Sequence, residues 1–508
     1  MPSPGGCWRR SGADLQDLLV IGGGINGVGI ARDAAGRGLS VTLCEKEDLA
    51  SHTSSASTKL IHGGLRYLEQ YEFRLVAEAL REREVLLKAA PHIIWPLRFV
   101  LPHDKGLRPA WMLRIGLALY DTIGGRRSLP GSRRVDLTKP PHRGVLQDRL
   151  RRGFEYSDCW VEDARLVVLC AMDARDRGAE ILVRTECVAL ERHPTHWRAT
   201  LRSRDGTERT VEARALANAA GPWVDEVARK ALGQGPPARL RLVKGSHIIV
   251  PRKYPGQHAY IFQNGDGRVV FAIPYERDFT LIGTTDQLFE GELDSVTISP
   301  EEVRYLREAA GEYFRSGIAE DEIVATYAGV RPLYEDNSVR NSTVTRDYAF
   351  ELDTQGGAPI LSVYGGKITT FRKLAEHALG RLAPQLPMGP KWTRTAPLPG
   401  GEMEDFAAFL WRAGERFSWM PPEMLLRLAR AYGTRIDKVV GTADGLDRLG
   451  DHFGGDLYES ELRYLVEEEF ARTPQDILWR RSKLGLHLPA ETERRVADWL
   501  NEQGGDFA

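Results

Sequence analysis

Residues 18–27 read Leu-Leu-Val-Ile-Gly-Gly-Gly-Ile-Asn-Gly, four apolar residues running directly into a glycine turn. The stretch behind the turn, 30–37, has the pattern of a helix closed by Gly38, and a second short strand over 40–44 ends at Glu45. A βαβ unit with Gly22-x-Gly24-x-x-Gly27 at its first turn aims backbone N–H groups and the positive end of a helix at a pyrophosphate. Glu45 follows Gly24 by 21 residues, where a carboxylate accepts hydrogen bonds from ribose hydroxyls and disfavours a 2′-phosphate. The chain is therefore expected to bind a dinucleotide other than NADP, with Gly22, Gly24, Asn26, Gly27 and Glu45 at the site.

Two further segments favour FAD over NAD. Thr53-Ser54-Ser55-Ala56-Ser57-Thr58-Lys59 is dense in hydroxyls that can donate to phosphate or flavin oxygens, so Thr53, Ser54, Ser57 and Lys59 join the cofactor set. Gly365-Gly366-Lys367-Ile368-Thr369-Thr370 places another helix N-terminus after a glycine-rich turn, suited to the negative charge of a reduced isoalloxazine. The run 215–221, small residues ending at Gly221, reads either as a strand that lets a flat group approach its backbone or as a tightly packed sheet strand.

At 508 residues, with 42% hydrophobic residues and 69 basic against 70 acidic side chains, the chain is neither disordered, collagenous nor globally nucleic-acid-binding. It is also too long for one growing core. The expected architecture is α/β plus α+β. It comprises a flexible leader (1–17), a Rossmann-like FAD-binding domain with a β-meander (18–238), an antiparallel strand-rich substrate domain (239–361), a return to the FAD-binding domain (362–395) and an all-α C-terminal cap (396–508). Within the second region, Ser299-Pro300-Glu301-Glu302 predicts a boxed helix start. Cys7, Cys44, Cys159, Cys170 and Cys187 form no CxxC pair and read as packed thiols. No stretch reaches the roughly 20 apolar residues of a membrane span.

The charge balance is uneven. Twelve basic and three acidic residues lie between Lys105 and Arg152, +9 against −10 for the rest of the chain. Inside that segment, 107–120 is apolar with sparse Arg and Trp111, and Arg126-Arg127 and Arg133-Arg134 follow. Such a stretch either rests on anionic lipid or is a solvated basic loop over a packed helix.

Five ordered motifs make the likeness specific: Ile21-Gly22-Gly23-Gly24-Ile25-Asn26-Gly27, Thr58-Lys59-Leu60-Ile61-His62-Gly63-Gly64-Leu65-Arg66-Tyr67-Leu68, Lys244-Gly245-Ser246-His247, Gly329-Val330-Arg331-Pro332-Leu333 and Gly365-Gly366-Lys367-Ile368-Thr369-Thr370. From about Leu18 to its C-terminus the chain resembles the bacterial aerobic, FAD-dependent glycerol-3-phosphate dehydrogenases of the D-amino-acid-oxidase-like flavoprotein group. The resemblance implies oxidation of sn-glycerol 3-phosphate to dihydroxyacetone phosphate, with hydride passing from C2 to flavin N5 and electrons to ubiquinone or menaquinone. It also implies a peripheral position on the cytoplasmic face of the inner membrane, and a homodimer is expected.

A phosphomonoester calls for forked guanidinium donors with tyrosine or lysine in support, which makes Arg66, Tyr67 and Arg331 candidates, with Lys367 near the phosphate or the flavin carbonyl edge. His62 is favoured as the base for the C2 hydroxyl and His247 as its orienter, although either can be a packed core histidine. Thr284 and Thr285 are expected to line the pocket, and Asp286 either lines it or makes a turn. Two alternatives remain: an oxidase that passes electrons to O₂ and forms hydrogen peroxide, and a flavin-containing RNA-binding or regulatory protein. The second needs none of the pocket residues.

Overall fold

The computed structural model describes residues 15–104, 108–125, 128–233, 240–334 and 348–503. Most of the leader, Cys7, Lys105, Arg126 and Arg127 lie outside these residues. The leader's last two residues belong to the first strand, Gln16–Ile21, where Asp17 accepts hydrogen bonds from the Ser40 amide and hydroxyl.

The chain builds two large sheets. In the first, Gln16–Ile21 lies between Val41–Cys44 and Glu208–Asn218, parallel to both. The path runs from Ala349–Asp353 through Ile360–Tyr364, Glu208–Asn218, Gln16–Ile21 and Val41–Cys44 to Glu180–Leu182. A strand buried on both faces needs apolar residues at every position. Leu18 and Val20 accordingly pack into the core beneath α1 (Ile25–Gly36), while Leu19 and Ile21 pack on the other face against Trp197, Ala199 and Leu201. Those last residues belong to the meander, Thr185–Arg192 and Trp197–Ser203, which extends from Glu208–Asn218.

The second sheet runs Gln287–Leu288, Leu240–Pro251, Phe279–Gly283, Val269–Tyr275, Ala259–Gln263, Ile94–His103, Arg152–Val161, Leu60–Ile61. Ala325–Tyr334 is antiparallel to Leu240–Pro251 over ten registered pairs. Helix Pro300–Gly311 covers one face, opening with the expected box: Ser299 Oγ accepts from the Glu302 amide and Glu302 returns a carboxylate to the Ser299 amide. On the other face lie α2 (Phe73–Ala89) and α3 (Ala110–Ile123).

The expected divisions at 238/239 and 361/362 do not separate these sheets. Leu60–Ile61, Ile94–His103, Arg133–Asp136 and Arg152–Val161 belong to the second sheet, whereas Ala349–Asp353 belongs to the first. Strand pairing is non-local, and the parallel contact of Ala259 with Phe99 joins segments that hydrophobic pattern alone cannot connect.

From residue 401 to residue 503 the chain is helical, apart from the ribbon His452–Gly454/Leu457–Tyr458. Its buried Met424, Leu428, Leu465 and Ile477 belong to the same apolar cluster as Leu18 and Val28, so the cap shares a core with the first sheet. Cys44, Cys159, Cys170 and Cys187 are buried and unbridged, and burial pushes the Cys170 and Cys187 thiols up to about 12. No described helix is long and apolar enough to cross a membrane.

Candidate active site

The first turn is set by two close backbone approaches. Gly22 has φ +113°, and a Cβ there would lie 2.5 Å from the Ala219 carbonyl oxygen. A Cβ on Gly27 would lie 1.9 Å from the Gly22 carbonyl oxygen, so α1 can leave the strand at this angle only without side chains at both positions. Glu45 accepts from the Gly23 amide (2.6 Å) and the Glu47 amide (2.9 Å). Burial raises its carboxyl above the usual range, and the two amides oppose that shift. Ser54 Oγ accepts from the Ile25 amide at the start of α1, and Thr53 Oγ1 donates to the Val330 carbonyl.

Between these elements runs a groove of about 380 Å³, lined among others by Gly22, Gly24, Asn26, Glu45, Thr53, Ser54, Gly221, Gly365 and Gly366. Asn26 Nδ2 donates to the Gly365 carbonyl, which ties the two glycine motifs together, while its Oδ1 is buried without a hydrogen-bond partner. A long cradle with amides and hydroxyls at one helix start, a carboxylate at the ribose position and an open buried acceptor fits FAD.

Other expected cofactor residues lie elsewhere. Lys59, 1% exposed, donates to both oxygens of Asp163 (2.8 and 2.9 Å) and to the Ser55 carbonyl; Ser57 Oγ donates to Asp163 as well. These two residues hold the segment to the start of α4 (Asp163–Asp176) and are not on the groove wall. A buried carboxylate demands a cationic partner, and a hydroxyl-rich sequence does not reveal which hydroxyls that pairing consumes. Thr369 and Thr370 are buried ahead of helix Phe371–Leu382, and Thr369 Oγ1 accepts from the His62 amide.

A second cavity of about 130 Å³ gathers His62, Arg66, Tyr67, Thr284, Thr285, Asp286 and Arg331. Arg331 donates to the Thr285 carbonyl (3.0 Å) and to Asp286 (3.2 Å), so Asp286 helps hold the guanidinium. Lys367 Nζ lies 4.0 Å over the Tyr67 ring. Thr285 turns its hydroxyl to buried Glu302, which also takes Lys244 and Ser246. Arg331 lines this cavity and Pro332 the first, as successive strand residues point to opposite faces.

His247 is on neither wall. Its Nε2 lies 3.0 Å from Thr58 Oγ1, its ring stacks on Tyr327 at 4.7 Å, and its Nδ1 is buried without a hydrogen-bond partner. Burial first, then the charges of Lys59 and Arg331, hold its pKa well below 6.5, so the imidazole is neutral at neutral pH. Sequence reasoning missed Gln70, Tyr156, Arg268 and Phe271 in the second cavity and Lys46, His52 and Trp223 in the groove. Lys46 directly follows Glu45 and Trp223 follows Gly221-Pro222, so their positions carried a signal; Tyr156 and Phe271 carried none.

The model of the family described as FAD dependent oxidoreductase matches residues 17–372, and that described as the C-terminal domain of alpha-glycerophosphate oxidase matches 391–503. The chain belongs to the FAD-dependent oxidoreductases. Its cofactor is FAD, and the family resemblance read from the five motifs is borne out. It is 53% identical over 494 residues to a glycerol-3-phosphate dehydrogenase of Pseudomonas aeruginosa, covering 97% of this chain and 96% of that protein. It is 52% identical over 489 residues to a D-erythritol 1-phosphate dehydrogenase of Brucella abortus, covering 96% and 97%. Among solved structures, a glycerol-3-phosphate dehydrogenase of Bacillus halodurans complexed with FAD matches with a TM-score of 0.76 at 28% identity, over 96% of this chain and 94% of that one.

As a buttress of this flavoenzyme fold, the Lys59–Asp163 pair has a measurable signature. Lys59→Met strands a buried carboxylate and is expected to cost about 3–5 kcal/mol of stability. Adding Asp163→Leu is expected to recover most of that loss, as read from urea unfolding of both variants. Equal losses in the single and double variants would contradict the assignment.

Proposed function

We propose that the chain oxidises the secondary alcohol of sn-glycerol 3-phosphate to the ketone of dihydroxyacetone phosphate. The observation that carries this reading is the convergence of His62, Arg66, Tyr67 and Arg331 on a small cavity separated from the FAD groove by one strand. Names of near full-length relatives support a polyol phosphate, and the three-carbon compound is proposed because several of them, 49–53% identical, are named glycerol-3-phosphate dehydrogenase beside one 52% identical D-erythritol 1-phosphate dehydrogenase.

In this reading Arg331 and Arg66 take the phosphate oxygens, with Tyr67 and Lys367 beside them. His62 accepts the C2 hydroxyl proton as the C2 hydrogen leaves with its electron pair. FAD, when bound, supplies the two-electron acceptor for that hydrogen. A general base works best with a pKa near the operating pH, and His247 is held far too low, which leaves it to orient Thr58 and the neighbouring chain.

The acceptor proposed for the enzyme is a membrane quinone, reached from a peripheral position on the cytoplasmic face of the inner membrane. Support comes from α3, which exposes Trp111 (61%), Ile115 (61%), Met112 and Leu119, next to exposed Tyr71 and Phe73. A groove of about 590 Å³ along this face shares Arg66, Ile261 and Arg268 with the second cavity. Arg108 lines the same groove, half-exposed beside Glu69, and suits an anionic headgroup.

Under anaerobic conditions glycerol 3-phosphate is expected to bleach the bound flavin, and a quinone analogue to restore it. D-erythritol 1-phosphate is expected to bleach it more slowly. Stoichiometric peroxide on turnover without quinone would assign an oxidase instead. Arg331→Ala is expected to cost about 2–5 kcal/mol of substrate binding, seen as a raised KM with flavin content unchanged. The double variant Trp111→Ser/Ile115→Ser is expected to lose co-sedimentation with vesicles of anionic phospholipid while keeping activity with a soluble acceptor; undiminished co-sedimentation would refute the docking face.

A further inference from the structure

The cap places no described residue on either cavity wall, yet it grips both chain segments that form one side of the FAD groove. The first segment is the turn after Glu45. Asp48, 1% exposed, accepts from both terminal nitrogens of Arg481 and from Arg480 Nε (2.6 Å). The backbone of the same turn is tied to the fingerprint: Ala50 donates to the Gly23 carbonyl, and the amide and hydroxyl of Ser51 close on the Asp48 carbonyl. The second segment is 184–187. Its Arg184 amide donates to the Glu47 carbonyl and its Thr185 amide to the Glu45 carbonyl, both at 2.7 Å, while the Arg184 side chain reaches Asp476 at 2.7 Å. Arg480 bridges Asp476 and Asp48 and so closes a ring of charge around the turn that carries Glu45.

We infer that the cap segment Asp476–Arg481 is a positioning element for FAD, with Arg481 acting through Asp48 to hold Glu45, Thr53 and Ser54 in their binding geometry. A cap needed only as cover would be served as well by apolar contacts, since buried ion pairs add little net stability over well-packed hydrophobic residues. What they supply is direction. Arg481, fully buried, spans from the Glu469 carbonyl in the cap to both oxygens of Asp48, and a planar fork fixes the carboxylate's position and plane. A loop prepared in advance binds its ligand without the cost of ordering it. The inference concerns FAD alone and does not depend on which alcohol is oxidised.

The test is titration of the flavin-stripped full chain with FAD, read by quenching of flavin fluorescence. Arg481→Met and Asp48→Asn are each expected to raise the Kd about tenfold or more, equivalent to about 1.4 kcal/mol, and Arg481→Lys to give an intermediate value. Asp456→Asn is the control. It breaks the cap contact to Arg427, which touches neither Asp48 nor the segment Asp476–Arg481, and is expected to lower the melting temperature with Kd unchanged. A wild-type Kd in Arg481→Met and Asp48→Asn, or an equal rise in Asp456→Asn, overturns the inference. Should Arg481→Met not fold, Arg480→Met at the rim is read the same way, and a wild-type Kd there is likewise decisive against it.

Discussion

Everything in the site is measured from the crossing of Gly22 and Gly27. With the Gly22 carbonyl where the Gly27 side chain would otherwise be, α1 starts hard against the end of the central strand, and its first amides face the groove and the Ser54 hydroxyl. Gly23, between them, hands its amide to Glu45 and its carbonyl to Ala50, so the turn that holds Glu45 is fixed by the same few residues. A side chain at either glycine would displace the helix, the carboxylate and the hydroxyl loop together.

Two of the contacts that attach the second sheet to this frame come from one strand. Thr53 donates to the Val330 carbonyl, and Tyr327 donates to the Ser57 carbonyl, both from strand Ala325–Tyr334. That strand also carries Arg331 of the second cavity, whose position is thereby tied to the segment that holds Thr53 and Ser57. The second cavity and the groove are consequently neighbours through these two hydroxyl-to-carbonyl bonds.

Much of the FAD domain was legible because its signals are local. The strand–glycine–helix run and the carboxylate at the second strand's end each declare a geometry within a few residues. The second sheet was only half legible: 239–361 was expected to be rich in strands, but nothing in residues 94–103 or 152–161 announces that they complete the same sheet. Lys59 shows the limit at the level of one side chain. Its neighbours in sequence are hydroxyls suited to a phosphate, yet its charge is spent on Asp163, more than a hundred positions away. The cap was least legible, because its role rests on Arg481 and Asp48, whose pairing depends on the fold alone.

His247 illustrates how the two sheets share electrostatics. It is depressed by burial, by Lys59 from the cofactor-side segment and by Arg331 from the substrate side. A histidine whose folded pKa lies below its unfolded value weakens the fold as pH falls beneath about 6.5, because the unfolded chain takes up the proton more readily. Across neutral pH it stays uncharged and adds no cation to the pocket. That matters where two arginines and a lysine already converge: a fourth full charge behind Arg331 would raise the cost of the empty pocket, whereas a neutral ring stacked on Tyr327 fills the space without it. In the proposed reaction a phosphate dianion at Arg331 offsets one of the two charges that depress His247, so substrate binding relieves part of the strain that the empty site carries.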